Sequence, residues 1–154
     1  MIEIFNRETN LVVTSDKKEI VFNTSNLEIT LDWFEVSYPW EYEKSWILLE
    51  VKEYFNSLFY NFLIEWHHVV FVTSDNFELK EDILSFFWDV DVLIITWTKQ
   101  ATKIFENIEA KVVIPYGESK SLFLTTLWQH TEEIGIYKVK SEKSLDATEF
   151  VNLA

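Results

Sequence analysis

The 154-residue sequence contains no cysteine and only two glycines and two prolines. Without cysteine, the chain has no disulfide bond, no thiolate nucleophile and no cysteine-ligated metal. With Gly117 and Gly135 as its only glycines, it can form neither a dinucleotide-binding fingerprint nor a phosphate-cradling loop. These absences exclude the nucleotide-dependent enzymes that use such loops, and we expect no cofactor.

Basic residues are also scarce, since 13 lysines and arginines stand against 26 aspartates and glutamates and leave a net charge of −13. Such a charge repels nucleic acid and anionic lipid and attracts basic proteins. No basic stretch followed by an apolar one opens the chain, and the apolar segment from Trp46 to Trp66 is interrupted by charged and amide side chains. We therefore expect a cytoplasmic protein with no signal peptide, no membrane span and no direct nucleic-acid partner.

Hydrophobic residues make up 48% of the chain and aromatic residues 17%, which predicts one folded domain over residues 1–154. In residues 1–36, β-forming clusters alternate with turn-type residues and predict an antiparallel β-meander. The alternation of apolar and polar residues from Leu27 to Trp33 is strict, as in a half-buried strand. The predicted strands are Ile2–Phe5, Leu11–Thr14, Glu19–Phe22 and Leu27–Val36.

Apolar residues then recur at spacings of three and four, which predicts a long helix over residues 45–66 that packs across the sheet. These residues are Ile47, Val51, Phe55, Leu58 and Phe62.

From residue 69 to residue 140, short apolar runs alternate with amphipathic segments, and residues 141–154 form a polar tail. The pattern predicts helices at Asn76–Trp88, after Thr98 and after Ser119, with parallel strands between them. The predicted strands are Val69–Thr73, Val92–Thr96, Val112–Ile114 and Ile134–Val139. The predicted fold class is thus α/β: a mixed sheet with an N-terminal antiparallel β-meander, then the long helix and alternating strand–helix units. The pairing order stays open.

Sheets of this class bind ligands beyond the carboxyl ends of their parallel strands. Asp75 and Glu118 follow two of the predicted strands and could act as paired carboxylates, with Thr98 and Ser119 as hydroxyl partners. The same residue types are favoured at helix N-caps, and Asp75 with Glu78 has the spacing of a capping box. Capping is the favoured interpretation, so no catalytic residue is predicted.

The histidines give a weak signal for metal binding. His67 and His68 are adjacent, so on a strand they face opposite sides, and His130 is remote in sequence. Asp89 and Asp91 lie at the amino end of a predicted strand and are interpreted as solvated loop residues. No metal site is predicted.

Two segments hold most of the excess negative charge. Residues 28–53 carry seven acids against two lysines, and residues 75–91 carry six acids against one lysine, a net −5 in each. The first segment is also rich in aromatic residues, and acids interleaved with aromatics suit a surface that binds a basic partner. The alternative is that the acids keep an aromatic-rich protein soluble. The predicted partner-binding residues are Glu28, Asp32, Trp33, Glu35, Trp40, Glu41 and Glu43, with Asp75, Glu78 and Asp82 as a second choice.

In its general character, acidic, small, aromatic-rich and free of cysteine, the chain resembles the immunity proteins of bacterial toxin–immunity pairs, including those of contact-dependent growth inhibition. The resemblance extends over the whole chain but rests on no motif, so no family residue is carried over. It implies a non-enzymatic protein that covers the active site of a basic toxin domain, such as a nuclease, with carboxylates in place of phosphates. Two alternatives are a small α/β hydrolase-like enzyme that uses Asp75 and Glu118, and an acidic DNA-mimicking or regulatory subunit.

Overall fold

A computed structural model of the chain describes residues 1–74, 78, 80–96, 106–117, 120, 125, 131–140 and 147–154. In this part of the chain there are fifteen β-strands, one four-residue α-helix and one turn of 3-10 helix. The predicted α/β class, with its long helix and strand–helix units, is therefore wrong. None of the helices in the described residues has the length and apolarity of a membrane-spanning segment.

The first sheet is the predicted antiparallel meander, closed on one side by a strand from far along the chain. Its order is β13-β1-β2-β3-β4-β5, with every pair antiparallel. The first three predicted strands are confirmed. The strands are β1 (Ile2–Arg7), β2 (Asn10–Ser15), β3 (Lys18–Asn23), β4 (Ile29–Leu31), β5 (Phe34–Val36) and β13 (Ile136–Lys138).

The predicted single strand Leu27–Val36 is wrong, because the chain reverses at Asp32 and Trp33 between β4 and β5. Both turn residues have positive φ, 46° and 70°, and the Trp33 side chain is 92% exposed. The alternation of polarity in the sequence continues through the turn, and tryptophan is an unusual residue in a two-residue hairpin turn. The pattern therefore gave no sign of the reversal.

The second sheet has the order β14-β11-β10-β9-β8-β7-β6. Its antiparallel half runs from β6 to β9, and its parallel half runs from β9 through β10 and β11 to β14. The predicted parallel strands at residues 69–73, 92–96 and 112–114 are confirmed. The strands are β6 (Glu41–Lys44), β7 (Ile47–Tyr54), β8 (Ser57–Ile64), β9 (His67–Val72), β10 (Val92–Thr96), β11 (Val112–Tyr116) and β14 (Glu149–Phe150).

The predicted long helix over residues 45–66 is in fact the hairpin of β7 and β8. The turn falls at Phe55 and Asn56, which both have positive φ. Ile47, Leu49 and Val51 are buried at every second position, so a strand period coexists with the helical spacing in the same apolar run. Such a run is compatible with a helix and with a strand. Here it forms strands, because β7 pairs with β6 and β8 pairs with β9.

The predicted strand Ile134–Val139 is divided at Gly135, and its halves join different sheets. β12 (Glu133–Ile134) pairs in parallel with β15 (Asn152–Leu153), whereas β13 pairs with β1 of the first sheet. The described end of the chain, residues 147–154, thus contributes β14 and β15 rather than only a polar tail.

The main core lies between the two sheets, where aromatic rings from both meet. The Phe22 and Phe71 ring centroids are 5.2 Å apart, and burial of such rings dominates core energetics. On the far face of the second sheet, a second core packs α1 (Glu81–Leu84) and the 3-10 turn (Ser85–Phe87) against β9 and β10.

The helix predicted at Asn76–Trp88 is shorter than expected. It begins at Glu81, with Lys80 in the N-cap position and no side-chain capping bond, so Glu78 precedes the helix. The capping box predicted for Asp75 and Glu78 involves a residue, Asp75, that lies outside the described residues. Of the helices predicted after Thr98 and after Ser119, the structure describes only a few residues.

Candidate functional site

The carboxyl ends of β9, β10 and β11 meet at one edge of the second sheet, which we call the strand-end edge (Val72, Thr96 and Tyr116). The Tyr116 hydroxyl donates a hydrogen bond to the Val72 carbonyl at 3.3 Å and also shares one with Thr96, so it joins all three strand ends. Burial raises the pKa of Tyr116, against a weaker opposing effect of the Thr96 hydrogen bond, so the phenol is protonated at neutral pH. In a sheet with parallel strands, such an edge is the first place to look for an active site.

A pocket of about 150 Å³ lies at the strand-end edge, between the two sheets. Tyr116 and Gly117 line one side of it, Glu8 lines the other, and Lys120 is also at its wall. The Lys120 ammonium donates a hydrogen bond to the Leu153 carbonyl. Sequence reasoning missed Glu8 and Lys120, because they are far apart in the chain and belong to no motif.

Asp75 and Glu118 are the paired carboxylates of the alternative, enzymatic interpretation of the sequence. Asp75, Glu118, Thr98 and Ser119 all lie outside the described residues, as does His130. Their roles stay predictions from the sequence.

At the opposite edge, the amino ends of β9 and β10 enclose a buried carboxylate. Asp91 is only 3% exposed, so its interpretation as a solvated loop residue is wrong, whereas Asp89 is exposed as predicted. The Asp91 carboxylate accepts a hydrogen bond from the His68 backbone N–H and another from the Lys111 ammonium, each at 2.8 Å. A charged residue is buried here because these donors replace its water.

The two adjacent histidines point to opposite sides of β9, as predicted. The His67 Nδ1 atom lies 3.8 Å from the Asp91 carboxylate, whereas the His68 Nδ1 atom lies 3.1 Å from the Asn61 side-chain oxygen. Across the described ranges, no group of three or more His, Asp and Glu side chains could hold a metal ion.

A second concave feature, which we call the acidic groove, follows the outer edge of β7. Its volume is about 700 Å³. Strand β6 begins beside the groove, at Glu41. Trp40, which directly precedes that strand, lies at the wall of the groove and is 72% exposed. The lining residues are Pro39, Trp40, Glu41, Glu50, Val51, Lys52, Glu53 and Tyr54.

The acids that line the acidic groove all come from the first acidic segment. Trp40 and Glu41, from the first segment, line it directly. Burial raises the pKa of Tyr54, and the negative charges of Asp82 and Glu50 raise it further. Asp82, from the second segment, does not line the groove.

The remaining predicted partner-binding residues do not line the acidic groove. Asp32 belongs to the β4–β5 turn, where its carboxylate accepts a hydrogen bond from the Ser45 hydroxyl at 2.7 Å. Trp33 and Glu35 are exposed beside it, and Glu43 is exposed on β6. Glu28 and Glu78 are also exposed, and Asp75 lies outside the described residues.

No protein-family model and no curated protein sequence matches the chain. A solved structure that resembles it comes from Thermotoga maritima and is described as a Zn-dependent hydrolase of the metallo-β-lactamase superfamily. The two superpose with a TM-score of 0.76 over 99% of each chain, at 17% sequence identity. The chain therefore has a metallo-β-lactamase-like fold.

This likeness corrects the expectation that the chain is not an enzyme, because the chain shares its fold with a protein described as a hydrolase. Sequence reasoning missed the scaffold because it rests on the pairing of distant strands. At this identity the likeness establishes the fold, whereas an activity depends on the residues at the site.

Proposed function

We propose that this chain is a hydrolase whose active site lies at the strand-end edge. The observation that carries the proposal is the superposition of nearly the whole chain on a protein described as a Zn-dependent hydrolase. The carboxyl ends of the three adjacent parallel strands, and the pocket beside Tyr116, support the location.

Zinc does not fit the described residues. Zinc sites in proteins are built from cysteine, histidine and carboxylate ligands, and this chain has no cysteine and three histidines. His67 lies at the amino end of β9 beside Asp91, and His68 follows it, so both lie at the opposite end of that strand from Val72. We therefore derive no step through zinc.

The chain's own groups offer carboxylate chemistry instead. A carboxylate can accept a proton from an attacking water, and a nearby ammonium can stabilise the negative charge that develops on the substrate. Asp75 and Glu118 are the candidates for the first role from the sequence, and Lys120 is the candidate for the second from its position at the pocket.

The test is hydrolysis of ester, thioester, phosphodiester and β-lactam substrates by the purified chain, with and without added zinc. We expect turnover of one class, and a loss on the order of 100-fold in Asp75→Asn or Glu118→Gln if that carboxylate is the general base. Glu109→Gln is a matched control, since this residue lies in the connection before β11, at that strand's amino end. Absence of turnover in all four classes under both conditions would contradict the proposal.

The acidic groove favours a second candidate function, the binding and inhibition of a basic toxin domain. Trp40 and Glu41 are predicted partner-binding residues, and both line the groove beside Glu50 and Glu53. One fold carries many functions, so a hydrolase scaffold is compatible with this role.

The test of the second candidate is a pull-down from the native host at low and high salt, followed by an activity assay of any basic domain retained. Inhibition at equal molar amounts, weakened in Glu41→Lys, is the expected result, because reversing the charge slows association with a basic partner. Retention of a basic domain without any inhibition would rule out this function.

A further inference from the structure

Half of the outer edge of β7 has no neighbouring strand among the described residues. Strand β6 pairs with the first half of β7, and one further bond joins the Val51 N–H to the Trp40 carbonyl at 2.9 Å. No bond beyond Trp40 joins the preceding segment, which begins with Pro39, to β7 in the described ranges. Lys52–Tyr54 continue the strand and pair, within the described part of the chain, with β8 alone.

At the outer edge of β7, the backbone N–H and C=O groups of Glu53 are directed away from the sheet. In an antiparallel strand, alternate residues direct their N–H and C=O groups to the same side. Val51 bonds outward to Trp40, so Glu53, two residues further on, presents its N–H and C=O outward as well. Such groups form a template for pairing with another chain.

The side chains around this edge carry excess negative charge. Glu41 lies directly opposite Glu50 in the β6–β7 pair, an arrangement of like charges that destabilises a sheet. The Lys52 ammonium lies 3.7 Å from the Glu50 carboxylate. It offsets only part of the negative charge of the groove, since Glu53 adds a third carboxylate there. A positively charged occupant would relieve this repulsion.

Aromatic rings at the groove also suit a cationic occupant. Trp40 is 72% exposed at its wall, and Tyr54 lines its other end. Ammonium and guanidinium groups bind over the faces of such rings, tryptophan best of all.

We propose that the acidic groove binds an extended basic peptide segment, which adds to the second sheet as a strand beside residues 52–54 of β7. The Glu53 backbone supplies the strand-pairing hydrogen bonds, and Glu41 and Glu50 select lysine or arginine. This mode of recognition rests on the second candidate function, because it states how a basic partner is held.

The experiment uses the full chain and three fluorescent hexapeptides. The first alternates lysine and valine, the second carries glutamate in place of lysine, and the third is the lysine peptide with N-methyl groups on alternate residues. N-methylation keeps the charge and removes the strand-pairing donors. We expect the lysine peptide to bind at low salt, the glutamate peptide not to bind, and the N-methylated peptide to bind about tenfold more weakly, the effect of one or two lost hydrogen bonds.

Two variants test the position of the site. Glu53→Pro removes the outward N–H and should abolish binding, whereas Glu53→Gln keeps it and should bind only a few-fold more weakly. Amide exchange gives an independent readout, since the Glu53 N–H should exchange rapidly in the free protein and slowly with the lysine peptide. Should Glu53→Pro fail to fold by circular dichroism, the N-methylated peptide and the exchange rates still decide.

Equal binding of the N-methylated and unmodified peptides would overturn strand addition, and so would the absence of any binding. Failure of strand addition can be distinguished from failure of the inhibitor function. Binding of the lysine peptide at the Glu53 edge, combined with no inhibited partner from the host, supports strand addition and rejects the inhibitor function alone.

Discussion

The buried carboxylate of Asp91 offers a quantitative test of the structure. Asp91→Asn keeps the size of the side chain but places an amide NH₂ group against one of two donors, the His68 N–H or the Lys111 ammonium. A hydrogen bond to a charged group contributes about 1.5–3 kcal/mol, and the asparagine oxygen preserves one of the two contacts. The Lys111 side chain is 27% exposed, so water compensates part of its loss. We expect Asp91→Asn to lower the free energy of unfolding by about 2–3 kcal/mol.

The measurement is urea unfolding, followed by tryptophan fluorescence and circular dichroism. With a typical slope of about 1–3 kcal/mol per molar urea, the midpoint should fall by about 0.7–3 M at unchanged slope. Asp89→Asn is the matched control, because Asp89 is exposed and has a φ of 56°, which asparagine also adopts easily. If the two variants unfold within about 0.5 kcal/mol of each other, the assignment of Asp91 as a buried, doubly bonded carboxylate is refuted.

Three further predictions concern single positions. Trp46→Gly should stabilise the fold by about 1 kcal/mol, because Trp46 holds a φ of 67° in a hairpin turn while 87% exposed; an unchanged or lower melting temperature would contradict this. Burial raises the pKa of Glu65, but the hydrogen bonds from the Met1 ammonium and the Ser15 hydroxyl outweigh it and lower the pKa below 4.5. The stabilisation that Glu65 provides is present above the unfolded-state pKa and is lost as the pH falls through the folded-state pKa. Glu65→Gln should therefore destabilise the fold at pH 7, and in urea titrations this destabilisation should disappear as the pH is lowered through the folded-state pKa. Tyr116→Phe should cost about 1 kcal/mol of stability through its bond to Val72; a melting temperature equal to that of the wild type would refute that role.

The sequence was most informative where a strand is short, apolar and bounded by turn residues. The strands at residues 2–5, 11–14 and 19–22, and the parallel ones beginning at residues 69 and 92, all follow from the sequence pattern alone. In these segments the spacing of the apolar side chains fits only a strand, because the segments are short and residues typical of turns bound them.

The sequence misled where one pattern fits two structures. Residues 45–66 have apolar side chains at helical spacing and at strand spacing, and the turn at Phe55 and Asn56 lacks the usual glycine. The reversal at Asp32 and Trp33 was hidden for the same reason. Tertiary pairing overrides local preference in such segments, and no local pattern reports it.

For the candidate sites, the sequence supplied the chemistry and the structure supplied the proximity. Charge and aromatic content alone predict Trp40 and Glu41 as partner-binding residues, but their position at one groove depends on β6 pairing with only the first half of β7. Glu8 and Lys120 carry no signal in the sequence, because the pocket they line is made by two sheets meeting.

By itself, the sequence determined the net charge, the absence of cysteine chemistry and of glycine-rich phosphate loops, and the positions of the strands with a single clear period. These depend on composition and on neighbours along the chain. Only the tertiary structure decided that two sheets pack face to face in a metallo-β-lactamase-like fold, that Asp91 is buried, and that β7 keeps a free edge lined with acids. Those features depend on contacts between residues that are distant in sequence, and a local sequence pattern carries no information about such contacts.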